Sequence, residues 1–127
     1  MIGKGGHGST PENTKDPLQA AVDIMLGHQT ILQSFQELVS KKMLVSTLPY
    51  LHCGEASNVI ADHAIIQGDL RTFDGEATFK FKAMFDEMCQ KICLSHGIKC
   101  EVAQDTSYPV VINTPKQSQI ANTNEFA

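Results

Sequence analysis

No apolar run in this chain approaches the ~18 residues that a membrane-crossing helix needs, which argues against a spanning segment. There is no basic cluster either, and a net charge of −4 argues against a nucleic-acid surface. Charged residues are 19% of the chain, slightly short of the usual quarter, and hydrophobic residues are 42%, the balance of an ordinary soluble domain. The N-terminus lacks a basic stretch followed by an apolar one, so no secretory signal is read and the expected location is cytoplasmic. The chain nevertheless opens as if inside a structural element and reads as a piece of something larger.

Catalytic and metal signatures are equally scarce. The four cysteines, Cys53, Cys89, Cys93 and Cys100, contain no C-x-x-C pair. Cys89 and Cys93 stand four apart on an expected helix, one turn from each other. A zinc or disulfide role stays open for them, but buried free thiols in a reducing compartment are the commoner meaning of this pattern. There is no phosphate loop of the G-x-x-x-x-G-K-[ST] type, no H-E-x-x-H and no G-x-S-x-G elbow. Gly3, Gly5 and Gly8 formally match G-x-G-x-x-G. No full strand precedes them, however, and Pro11 interrupts the expected helix start, so the match to a dinucleotide fingerprint is accidental.

What the chain does have is a glycine-rich opening, Gly3-Lys4-Gly5-Gly6-His7-Gly8-Ser9-Thr10-Pro11, with one histidine at its centre. Glycine lacks a Cβ and lets backbone approach a ligand closely. His7 is the group here that can exchange a proton near neutral pH, donate to a developing oxyanion or bind a metal. The plainer reading is a solvated loop histidine.

At 127 residues the chain fits one domain with a sizeable core. Ile2 to His7 reads as a strand end. Asp16 caps a helix with Pro17 at its first position and Gln19 as capping-box partner. Leu18, Ala21, Val22, Met25, Leu32, Phe35 and Val39 recur at helical spacing as its apolar stripe. His28 sits on that stripe, where a satisfied core or interface histidine is favoured over a ligand. Leu44 to Cys53 reads as a strand with an edge or bulge at Pro49, and Gly54 to Asn58 as a turn. From His63 to Phe73 a second strand puts Ala64, Ile66, Gly68 and Leu70 on one face and Ile65, Gln67, Asp69 and Arg71 on the other. Asp74 caps a helix carrying Phe81, Met84, Phe85, Met88 and Ile92, which ends at Gly97; Ile98 to Gln104 is a last short strand.

The order βαββαβ predicts an α+β, ferredoxin-like sandwich: a four-stranded antiparallel sheet with two helices on one face. RNA-recognition modules share this order, but the aromatic stacking strand they need is missing. The open sheet edges invite pairing with a second copy. Residues 105–127, with breakers at Tyr108-Pro109 and Asn113-Thr114-Pro115, read as a connector following a domain over 1–104.

Three segments together carry a resemblance: Gly3 to Ser9 with Pro11 and Asp16-Pro17; Gly54-x-Ala56-Ser57-Asn58-Val59-Ile60; and Gly68-x-Leu70-Arg71-Thr72-Phe73, with Asn58 thirteen residues before Arg71. They resemble the dimerisation, or lid, domain of the zinc-dependent metallopeptidase family of aminoacylases, glutamate carboxypeptidases and hippurate hydrolases, nearest its N-acyl-amino-acid amidohydrolase branch. The resemblance covers residues 2 to about 104, and the segment from Tyr108 to Pro115 resembles the return into the family's catalytic domain. It implies an enzymatic parent protein that hydrolyses the amide of an N-acyl amino acid or small peptide, and an isolated segment that is inactive. Two zinc ions would sit in a separate catalytic domain and none here. It further implies a homodimer through edge strands and helices, with His7 delivered across it to the tetrahedral oxyanion. Asn58 would reach the substrate across the same interface, and Arg71 would clamp the substrate carboxylate in its own subunit's site. For each there is a plainer alternative: a turn-capping role for Asn58, a surface ion pair with Asp69 or Glu76 for Arg71, and for the whole chain a non-catalytic ferredoxin-like interaction module. Ala61 stands where many relatives have proline.

Overall fold

The computed structural model describes residues 1–105; the expected connector, with Tyr108-Pro109 and Asn113-Thr114-Pro115, lies outside the described residues. The elements in order are β1 (Gly6–His7), a single 3-10 turn (Pro11–Asn13), α1 (Pro17–Ser34), α2 (Gln36–Ser40), β2 (Leu44–Cys53), β3 (Val59–Ile60), β4 (Ala64–Thr72) and α3 (Gly75–Ser95).

Both long helices start where local chemistry says they should. The Asp16 carboxylate accepts the Leu18 N–H at 2.8 Å, and Pro17 occupies the first turn, where its missing N–H costs nothing. Asp74 accepts the N–H groups of Glu76 and Ala77, at 2.9 and 3.2 Å. Gly97, at φ +67°, follows the end of α3 in the left-handed conformation that glycine adopts without strain.

The helices pack on each other through a face of α1 that overlaps the expected stripe only in part, at Ala21, His28 and Phe35. Pro17, Ala20, Ala21, Ile24, His28 and Ile31 are the buried positions, whereas Leu18 and Val22 are 37% and 43% exposed. Alanines and Gly27 let α3 come close: a Cβ at Gly27 would overlap Met88 Sδ. Two core clusters result. One joins Ala20, Ile24, Cys89, Cys93 and Ile98; the other joins Ile31, Phe35, Leu44, Ala77 and Phe81. At Phe35 (φ −113°, ψ 20°) the first helical run breaks, because the ring is buried against Phe81 at 5.5 Å between centroids and the chain restarts as the short α2.

β2 and β4 pair antiparallel, Leu44 opposite Thr72 and Cys53 opposite Ala64, with a register shift between Thr47 and Tyr50 where Pro49 cannot donate to the ladder. Burial alternates along β4 as expected: Ala64, Ile66 and Leu70 face the helices, and Ile65, Gln67, Asp69 and Arg71 face outward.

The expected single four-stranded sheet is not formed. Among the described residues there are two two-stranded sheets, β2 with β4 and β1 with β3, and three α-helices rather than two. Ile2 does lie between His63 and Lys99, exchanging backbone bonds of 2.9 and 3.0 Å with Lys99, but each contact is an isolated bridge. The reason is the glycine run. After Gly3 the chain leaves this ladder, Lys4 exchanges two bonds with Lys15 (2.9 and 2.8 Å), and β1 then pairs with β3. The strand expected from Ile98 to Gln104 is correspondingly reduced to the bridge at Lys99.

Candidate functional site

The glycine loop is built by its own backbone. A Cβ at Gly3 would overlap the Lys15 carbonyl oxygen, and one at Gly5 would stand 2.6 Å from the Ile60 carbonyl oxygen. The close approach that the glycines permit is therefore chain on chain, which fixes where His7 can be. β1 sets His7 opposite Val59, and the Gly8 N–H bonds the Asn58 carbonyl at 2.9 Å. Two of the three candidates, His7 and Asn58, are thereby neighbours on one exposed ridge.

The His7 ring is held on one side. The Ser9 N–H donates to its Nδ1 at 3.1 Å, and Ser9 Oγ lies 2.7 Å from the same nitrogen. The turn is closed by the Thr10 N–H, which donates to the His7 carbonyl at 3.0 Å. Ser9 was part of the sequence pattern but carried no role there; a hydroxyl two residues after a histidine in a tight turn is the local signal for it. The Asn58 backbone carbonyl is taken by Gly8, and its side-chain amide makes no hydrogen bond to the described residues, so it does not cap its own turn.

Arg71 is not brought to this ridge. It lies opposite Val45 on the outer face of the β2–β4 ribbon, and its Nε donates to Asp69 at 2.6 Å, with side chains 82% and 54% exposed. Seven residues separate it from Ala64, about 23 Å at the usual strand rise. Of the two ion-pair partners that the sequence allows, Asp69 is the one found.

An open cavity of about 460 Å³ lies between Asp16 and Leu18 at the start of α1 and the 53–61 loop, and neither His7 nor Arg71 lines it. Near the ridge, His63 hydrogen-bonds Asp62 at 2.6 Å, which holds that carboxyl below the usual range. His28 is buried as expected, with Nε2 2.9 Å from Ser46 Oγ and its ring edge-on to Phe81 and Phe85. Burial lowers its pKa. All four cysteines are free thiols; burial is the largest cause pushing Cys89 and Cys93 up to about 12. Among the described residues no group of three or more His, Cys, Asp or Glu side chains is arranged to hold a metal ion. No described helix is long and apolar enough to cross a membrane.

No family model matches the chain. Individual relatives do. The chain is 31% identical to the thermostable carboxypeptidase 2 of Saccharolobus solfataricus over 115 residues, 90% of this chain and 29% of the relative. It is 31% identical to the N-acetyldiaminopimelate deacetylase of Anoxybacillus flavithermus over 126 residues, 99% of this chain and 32% of the relative. Among solved structures, a tripeptidase from Staphylococcus aureus superposes with a TM-score of 0.70 at 23% identity, covering 97% of this chain and 32% of that one, and shares its fold. The chain thus matches, at the level of family, a group of amidohydrolases and peptidases, and it spans about three-tenths of their length.

Proposed function

We propose that this segment is the lid and dimerisation domain of a zinc-dependent amidohydrolase of cytoplasmic location that hydrolyses the amide of an N-acyl amino acid or small peptide. The observation that carries the reading is the pairing of β1 with β3, which sets His7 beside Asn58 on one exposed ridge. Similarity to both a deacetylase of an N-acyl amino acid and a carboxypeptidase supports the reaction class, amide cleavage next to a carboxylate-bearing residue.

Among the described residues no His, Cys, Asp or Glu side chains cluster to hold a metal ion. In this reading two zinc ions would be held by a separate catalytic domain and would supply the activation of water for amide hydrolysis. What the present residues contribute is electrostatic. The His7 ring, reaching the active site of a second copy, donates to the oxygen that becomes an oxyanion as the amide carbon turns tetrahedral. The Asn58 amide can donate and accept at once and orients the substrate in the same site. Arg71 offers a planar fork for a carboxylate, which a lysine cannot reproduce. Its distance from the ridge fits a division in which Arg71 serves its own subunit's site and His7 with Asn58 serve the partner's. To bind substrate the guanidinium exchanges the exposed Asp69 carboxylate for the substrate's, a small cost because such pairs contribute little in water.

The test is hydrolysis of a panel of N-acyl amino acids by the zinc-loaded full-length protein and its His7→Ala variant. Loss of one preorganised oxyanion donor costs about 3 kcal/mol, so kcat is expected to fall roughly a hundredfold with KM nearly unchanged. A variant as active as wild type makes the domain an assembly device. Absence of turnover by either protein favours the interaction module.

A further inference from the structure

We propose that Ser9 is a positioning residue that holds His7 in the neutral tautomer carrying its proton on Nε2, so that the ring presents a hydrogen-bond donor outward to an oxyanion. The proposal rests on the reading of His7 as an oxyanion donor, and it concerns a residue to which that reading assigns nothing.

A backbone N–H can only donate. Since the Ser9 N–H points at His7 Nδ1 from 3.1 Å, that nitrogen must offer its lone pair. Ser9 Oγ, 2.7 Å from the same atom, then also acts as donor toward it. In a neutral imidazole only one nitrogen carries hydrogen, so with Nδ1 accepting, the proton is on Nε2. The opposite tautomer would set an Nδ1–H against the Ser9 N–H, two donors facing each other. The arrangement is fixed by the turn itself: the Thr10 N–H closes onto the His7 carbonyl at 3.0 Å, and Thr10 Oγ1 approaches the same oxygen at 3.3 Å. Nε2 has no partner among the described residues, and the residue is exposed. A ring locked on one edge and open on the other as a donor suits an acceptor that gains negative charge. It does not suit a metal ion, which requires an unprotonated nitrogen on the open side.

The experiment has two arms. In the first, nitrogen-15 spectra of the imidazole are recorded on this 127-residue chain at pH 8.5. The wild type is expected to show His7 as the Nε2–H form alone. Ser9→Ala keeps the N–H but loses the hydroxyl, and is expected to admit a share of the Nδ1–H form, while Ser9→Thr restores the wild-type pattern. In the second arm the same variants are placed in the full-length enzyme. Ser9→Ala should lower kcat about fivefold, the worth of one hydrogen bond, with KM unchanged and Ser9→Thr near wild type. Mixed tautomers of His7 in the wild type overturn the proposal. So does a Ser9→Ala enzyme with full kcat beside a crippled His7→Ala, an outcome that leaves the oxyanion reading standing. A fully active His7→Ala removes both.

Discussion

Replacing His28 with leucine should make the domain less sensitive to acid. His28 is buried at 2% exposure, between α1, β2 and the rings of α3, and burial lowers its pKa below 6.5. In the unfolded chain the same ring titrates near 6.5. As pH falls through 6.5 the unfolded state therefore takes up a proton that the folded state refuses, and stability is lost with decreasing pH until the folded ring itself titrates. The loss between pH 8 and pH 5.5 is bounded by RT ln(1 + 10), about 1.4 kcal/mol, the limit for a folded ring that takes up no proton in this range. Leucine occupies similar volume, and its cost at pH 8 is the 2.9 Å contact to a half-buried Ser46 and the ring contacts, about 1 to 1.5 kcal/mol. The two proteins should accordingly differ by that amount at pH 8, with the gap narrowing as pH falls to 5.5. Urea unfolding followed by circular dichroism at pH 8, 7, 6 and 5.5 measures the difference, and groups common to both proteins cancel. A wild-type advantage that stays flat across this range would show that His28 protonates freely in the folded state, and the burial argument would fail.

Gly3→Ala forces a Cβ onto the Lys15 carbonyl oxygen and should break the two Lys4–Lys15 backbone bonds. At ~0.5–1.5 kcal/mol per bond this predicts a loss of about 1 to 3 kcal/mol in the unfolding free energy, and faster amide exchange at Lys4 and Lys15; an unchanged urea midpoint would refute the close-approach account. Cys89 and Cys93, buried and pushed up to about 12, should resist alkylation at pH 8 in the folded chain longer than the half-buried Cys53 and Cys100; mass spectrometry of the alkylated protein reads the order. Arg71→Ala removes an exposed ion pair and should leave the unfolding midpoint within about 0.5 kcal/mol of wild type. In the full-length enzyme Arg71→Lys should raise KM for carboxylate-bearing substrates, the readout that separates a binding role from a surface pair.

What the sequence determined by itself was local. The caps at Asp16 and Asp74, the glycine after α3, the bulge at Pro49 and the alternation along β4 each depend on one or a few neighbouring residues, and each is found. His28 was legible as a buried histidine for the same reason, because helical spacing placed it among apolar positions. Pattern alone also singled out His7, whereas Asn58 and Arg71 were singled out by the resemblance. The tertiary structure decided what spacing leaves open. Helix α1 carries apolar residues on more than one face, and only packing against α3, close at Ala20 and Gly27, selects the positions that are buried. Of the four expected strands the two central ones are found as β2 and β4, but the glycines that free the backbone after Ile2 let it pair with Lys15 and with β3 instead of extending the ladder, and the strand expected from Ile98 is left as a bridge. The same pairing decided that His7 and Asn58 meet while Arg71, on β4, stands apart, since a contact between segments has a geometry that no residue specifies alone.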